Sequence, residues 1–181
     1  MIKANINYEE QLREKIVELA LLQYKKEYIH GGHGPDVFDC AGLAWYIFNE
    51  LFNVDIYSDG YGVSTTTQIM TSSCGTLTLY NEQDFHKDLS LIKKGDIVLL
   101  HKQSIKENQP RGDNKYPGHC GIYLGDNCFI HSSRVKEKVV ISSFLKNDYW
   151  QKVLVGTKDI VSDEKVLRRR LKWQKNYLLK Q

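Results

Sequence analysis

The stretch HCGIYLGDNCFIHSS, residues 119–133, constrains the fold more than any other part of the chain. Two apolar runs flank Gly125-Asp126-Asn127, and turn-forming residues between such runs read as a tight antiparallel hairpin. Turn geometry sets the register of a hairpin. Centred on residue 125, the turn is expected to set His119 opposite His131, because residues equidistant from the centre fall together. Facing imidazoles can share a hydrogen bond, which fixes the tautomer of each ring.

The remaining elements follow from periodicity. Leu12, Ile16, Leu19, Ala20 and Leu22 recur at helical spacing within residues 8–25. The stretch YIHGGHGPD (28–36) is a glycine-rich loop. A helix is expected from Cys40 to Phe52, with Asp39 as its N-cap and Leu43, Ala44, Ile47, Phe48 and Leu51 on its buried side. Residues 55–75 read as loop with a short helix near Thr65–Met70. Strands are expected in KKGDIVLLHK (93–102), the hairpin, EKVVISSF (137–144) and WQKVLVGTKDI (150–160). Helices first and strands afterwards predict an α+β domain, with N-terminal helices packed on a small antiparallel sheet. The polar insertion 103–118 delivers His119, so it is expected to border whatever site that histidine serves.

At 181 residues the chain fits one domain, read as residues 1–164 followed by a basic C-terminal helix, 165–181, packed on it. That tail carries seven Lys or Arg and no acid; without them 18 basic residues face 22 acidic ones. A basic tail on a mildly acidic body is not the basic folded face of a nucleic-acid binder, so no nucleic-acid partner is expected. No run approaches a membrane span, and the N-terminus lacks the apolar stretch of a signal peptide. The chain is expected to be cytoplasmic as synthesised, with release, delivery or association with a phage or mobile element as its routes outward. Four cysteines (40, 74, 120, 128) are too few and too irregular for a disulfide framework.

One cysteine stands apart. Cys40 opens an apolar helix behind Asp39 and ahead of the small Ala41 and Gly42. A helix N-terminus favours negative charge, and an imidazole beside it would hold a thiolate. Small neighbours leave backbone N–H groups open to a developing oxyanion. Of the six histidines, His119 and His131 are the ones a rigid hairpin can aim. His30, His33, His86 and His101 read as surface positions. Zinc is set aside: strand alternation turns Cys120 away from His119 and Cys128 away from His131, so the four do not converge. Cys74, Cys120 and Cys128 read as core or surface thiols. No metal and no cofactor is expected.

The order Cys, His, His resembles the NlpC/P60 family of papain-like cysteine peptidases. YIHGG, DCAGLAWYIF, KKGDIVLL and GHCGIYLGDNCFIHSS stand, in that order, where the family shows its four motifs. The resemblance implies an amide hydrolase acting on stem peptides of bacterial peptidoglycan. By position it implies Cys40 as nucleophile, His119 as base and His131 as the third polar residue. Tyr28 would line the site, and Asp39 would help hold a substrate amine, besides capping its helix. Three positions depart from the family: Ala41 replaces a usual Ser, Val63 a usual Arg, and Cys120 a common Val. Thr65 and Gln68 keep the rest of the substrate-binding stretch. Acyl transfer or deamidation on the same scaffold, or a catalytically silent wall-binding module, are the rival readings. The scissile bond and the oligomeric state stay open.

Overall fold

The computed structural model describes residues 2–57, 65–81, 87–101, 116–163 and 166. In chain order these form α1 (Ile2–Leu21), β1 (Glu27–Tyr28), β2 (Val37–Phe38), α2 (Cys40–Phe52), α3 (Thr65–Thr71), β3 (Thr76–Leu79), β4 (Ile97–Leu100), β5 (His119–Gly125), β6 (Cys128–Ser133), β7 (Lys138–Ser143), α4 (Asp148–Lys152) and β8 (Leu154–Asp159). The class is α+β.

The sheet is larger than the expected small antiparallel one. Among the described residues it has eight strands, in the order β2-β1-β7-β6-β5-β4-β8-β3. It is also mixed, because β1 and β2 run parallel, with Glu27 beside Val37 and Tyr28 beside Phe38. Three of these strands escape a sequence pattern for a physical reason. The β1 and β2 pairings are two residues long, too short to show alternation. β3, TLTL, is an exposed edge on which burial imposes no alternation of side chains. The first residues of the expected strand at 150–160 belong instead to α4, capped by Asn147, whose side chain accepts from the Tyr149 amide.

Both faces of the sheet are covered, which is why β4 is buried at every position. Ile97 and Leu99 join Leu12, Ile16 and Ala20 of α1 and Leu43, Ala44, Ile47 and Phe48 of α2 in one apolar cluster. Val98 and Leu100 point the other way, into a second cluster with Tyr123, Phe129, Phe144, Trp150 and Leu154. The strand alternation therefore separates two cores. His101 follows β4 into this interior and is buried, not a surface residue, because its amide bonds Val153.

Arg13 ties α1 to the sheet. Its guanidinium donates to Glu9 one turn earlier, to Asp96 just before β4 at 2.8 Å, and to Asp159 at the end of β8 at 2.7 Å. Arg13 and Asp96 are both buried. Burial and the charge of Asp159 push the Asp96 carboxyl up to about 6, against the opposing pull of the Lys93 amide and Arg13. No helix among the described residues is long and apolar enough to cross a membrane. Val63, His86 and most of the stretches 103–118 and 165–181 lie outside the described residues; of the tail, Val166 is described, and it is fully buried in the first core.

Candidate active site

The expected helix at Cys40 begins where the sequence put it, and local chemistry explains the placement. Asp39 is extended, and its Oδ1 accepts from the Gly42 amide at 2.6 Å. Its Oδ2 accepts from Gly31 at 3.0 Å, so one carboxylate joins the glycine-rich loop to the helix start. The loop returns the contact: Gly32 accepts from the Asp39 amide at 2.8 Å. Gly42 sits so close to this carbonyl that a Cβ would lie 2.0 Å from the Gly32 oxygen. Only glycine permits that approach, so the loop and the first turn of α2 act as one unit. Asp39 is 7 % exposed, with both oxygens already on backbone amides, which supports its capping role.

Cys40 is half-buried at the first helical position. Its sulfur is 3.9 Å from the Thr66 hydroxyl on α3. The thiol is held well below its ordinary range, first by a hydrogen bond with Cys120, then by a hydrogen bond with His119 and that ring's charge, with Thr66 adding a smaller contribution; burial opposes them. Cys120 moves the other way, well up, through the same contact with Cys40 and through burial. The Cys120 sulfur also lies 3.2 Å from the Cys40 carbonyl oxygen.

His119 Nε2 and His131 Nδ1 are 2.8 Å apart, with the rings edge to face. The route to this pair differs from the expected one. The turn residues are Asp126 and Asn127, both at positive φ, and Gly125 pairs with Cys128. The register then shifts at Leu124, so that Tyr123 pairs with Phe129 and Ile122 with Ile130. Continued one step, Gly121 lies opposite His131. His119 and His131 are thus a diagonal pair, two residues out of the direct register, yet still on one face of the sheet. Gly121 makes room for them: a Cβ there would come within 3.0 Å of the His131 Cβ.

The line of polar groups continues onto β7. His131 Nε2 lies 2.9 Å from the Ser142 hydroxyl, and the register of β6 on β7 pairs Phe129 with Ser142, putting the serine on the same face. Burial, and then the charge of His119, hold His131 well below the ordinary imidazole range. A neutral ring carries one proton. If His119 is cationic, both its nitrogens donate, so His131 accepts at Nδ1 and donates from Nε2 to Ser142. His119 Nδ1 is the nitrogen left for the sulfur. Phe129 stacks on His131 at 5.0 Å and Trp150 meets its face at 5.1 Å, sealing the ring from water.

Tyr28 is half-buried; burial and then the charge of Cys40 raise its hydroxyl. Thr65 and Gln68 are half-exposed on α3, whereas it is the buried Thr66 that meets the sulfur. α3 is held from two sides. Thr67 donates to the Pro117 carbonyl at 3.3 Å, two residues before His119, and the buried Lys158 donates to the Met70 and Ser72 carbonyls at its C-terminal end. His30 and His33 are exposed, and His33 stands edge-on to Trp45 at 5.7 Å. Thr66, Ser142 and Lys158 escape a reading of the sequence. Each owes its position to pairing with a segment at least eleven residues away.

Residues 25–159 match the model of the NlpC/P60 family. The chain is 28 % identical over 146 residues to the probable endopeptidase YafL of Escherichia coli, covering 80 % of this chain and 49 % of that protein. It is 30 % identical over 142 residues to the murein DD-endopeptidase MepH of the same organism, covering 77 % and 43 %. It thus spans about half the length, or less, of these relatives. The crystal structure of the NlpC/p60 domain of the peptidoglycan hydrolase SagA aligns with a TM-score of 0.55 at 22 % identity, over 81 % of this chain and 97 % of that one, which shows a shared fold.

Proposed function

The chain belongs to the NlpC/P60 family, and from that premise we propose that it is a cysteine peptidase hydrolysing an amide bond in peptidoglycan stem peptides. Residues 1–164 form the peptidase domain in this reading, on a papain-like scaffold with its N-terminal helices laid against the sheet. The observation that carries the proposal is a thiol at a helix N-terminus, held low in part by the neighbouring His119, whose ring nitrogen lies 2.8 Å from that of a second buried imidazole. Names of the relatives, murein and peptidoglycan endopeptidases, supply the substrate class.

Cys40 thiolate, paired with the His119 cation, attacks the amide carbon. The Cys40 backbone N–H and the Tyr28 hydroxyl donate to the oxyanion that forms. His119 gives its proton to the leaving amine, and the C–N bond breaks. Water then loses a proton to His119 and attacks the thioester, releasing the acid and restoring the thiol pair. His131 keeps one proton throughout and holds the His119 ring in place. Thr65 and Gln68, half-exposed on α3, are assigned to substrate contact.

The test is digestion of purified muropeptides, read by mass spectrometry. Two fragments whose masses total the substrate plus one water support hydrolysis. A fragment carrying an added amine identifies acyl transfer instead. Intact muropeptides with the native chain, or cleavage undiminished in Cys40→Ala, sinks the reading.

A further inference from the structure

The mechanism leaves one side chain beside the nucleophile without a role. Cys120 is fully buried and packs in the first core, where the apolar job could be done by the valine common at this position in the family. Its sulfur is no ordinary core atom, however. It lies 3.2 Å from the Cys40 carbonyl oxygen, and its proximity helps hold the Cys40 thiol low. Strand alternation produces this contact. His119 and Cys120 are consecutive on β5, so the imidazole and the second thiol approach residue 40 from different sides.

We propose that Cys40 and Cys120 form a reversible oxidation site, in which a hydroperoxide oxidises the first and the second closes it as a disulfide. The inference rests on Cys40 being the reactive thiol, as in the function proposed above. Attack of the Cys40 thiolate on the peroxide breaks the O–O bond, leaves a sulfenic acid on residue 40 and releases an alkoxide or hydroxide that takes up a proton. Cys120 sulfur then attacks the Cys40 sulfur. The S–S bond forms, the S–O bond breaks, and the departing hydroxide leaves with the Cys120 proton as water. Two thiols and one peroxide thus become a disulfide, an alcohol or water, and a further water.

The order of events follows from exposure and charge. Cys40 is half-buried and its thiol is held low, so it meets the oxidant as a thiolate. Cys120 is inaccessible and protonated, so it waits for the sulfenic acid. Closure removes the nucleophile but protects it from the irreversible sulfinic state. A dithiol reductant reopens the site. The Cys120 sulfur already lies 3.2 Å from the Cys40 carbonyl oxygen, so the two residues start as neighbours.

The test uses the reduced full-length chain treated with hydrogen peroxide, quenched with an alkylating agent in denaturant and mapped by mass spectrometry. Residues 40 and 120 are expected to lose alkylation together, to appear as one linked peptide pair, and to return at least tenfold on dithiothreitol treatment. In Cys120→Val and Cys120→Ala, residue 40 is expected to react with dimedone and then to accumulate as sulfinic acid that dithiothreitol does not recover. Sulfinic acid at residue 40 of the native chain with Cys120 still free overturns the inference. So does pairing of Cys40 with Cys74 or Cys128. A separate measurement, iodoacetamide labelling near pH 6, keeps the two readings apart. Fast labelling of Cys40 without any disulfide discards the oxidation site alone, whereas slow labelling discards the nucleophile as well.

Discussion

Two buried polar clusters hold this molecule together, and they differ in kind. Around Arg13, three carboxylates surround one guanidinium, joining α1 to the start of β4 and the end of β8. Around Cys40, a thiol, two imidazoles and a hydroxyl join α2 to three neighbouring strands. The first cluster is built on a charge that cannot leave, because a guanidinium keeps its proton at any working pH. The second is built on protons that can move, with the thiol held low and His131 kept neutral. A cation that keeps its proton anchors chain segments; groups whose protons can move surround the sulfur proposed as nucleophile.

Substitutions can break that contrast. The largest effect is expected from His119→Ala, which removes the movable charge: kcat/KM on muropeptides should fall by about 10³- to 10⁴-fold, while the thermal midpoint stays close to that of the native chain. A similar loss of melting temperature and activity together would make the imidazole structural. Arg13→Ala should do the reverse. It leaves Asp96 buried without its cation and should cost about 3–5 kcal/mol in urea unfolding, while the folded fraction labels at Cys40 as fast as before.

A third test sharpens the comparison through pH. Asp96 is raised in the folded state to about 6. Its neutral form is favoured there, so the stability it contributes is fully present below the unfolded value, about 3.9, and is lost as pH rises through about 6. In Asp96→Asn the decline in stability between pH 4 and pH 7 should shrink by roughly 2 kcal/mol, measured by urea titration at both pH values. The smallest effect belongs to Ser142→Ala. Losing one hydrogen bond to the His131 ring should lower kcat/KM about tenfold, and Ser142→Thr should restore it, because a hydroxyl there is what fixes the tautomer. A Ser142→Ala chain with native kcat/KM would take the serine out of the line.

The two clusters were also unequally legible. Cys40, Asp39 and the hairpin announce themselves through local rules: a cap, small residues at a helix start, turn residues between apolar runs. His119 and His131 were found through a register that the fold does not use, since the turn lies one residue later than the reading assumed. The pair survived because the two registers differ by an even number of residues. Nothing local marks Arg13 as buried, because its partners sit 83 and 146 residues away. Thr66, Ser142 and Lys158 stayed hidden for the same reason. His101 was misread as a surface residue because burial comes from neighbouring strands, not from its own flanks.

Leu124 acts as a counting device in the hairpin. The tight turn alone sets Gly125 against Cys128, and carried down the ladder that odd offset would turn the His131 ring toward α2, away from His119. One surplus backbone unit in β5 restores the even count. Descendants of this sequence can therefore lengthen or shorten the hairpin tip only in compensated steps, and a single unmatched codon gained or lost there would leave a well-formed sheet whose two imidazoles never meet.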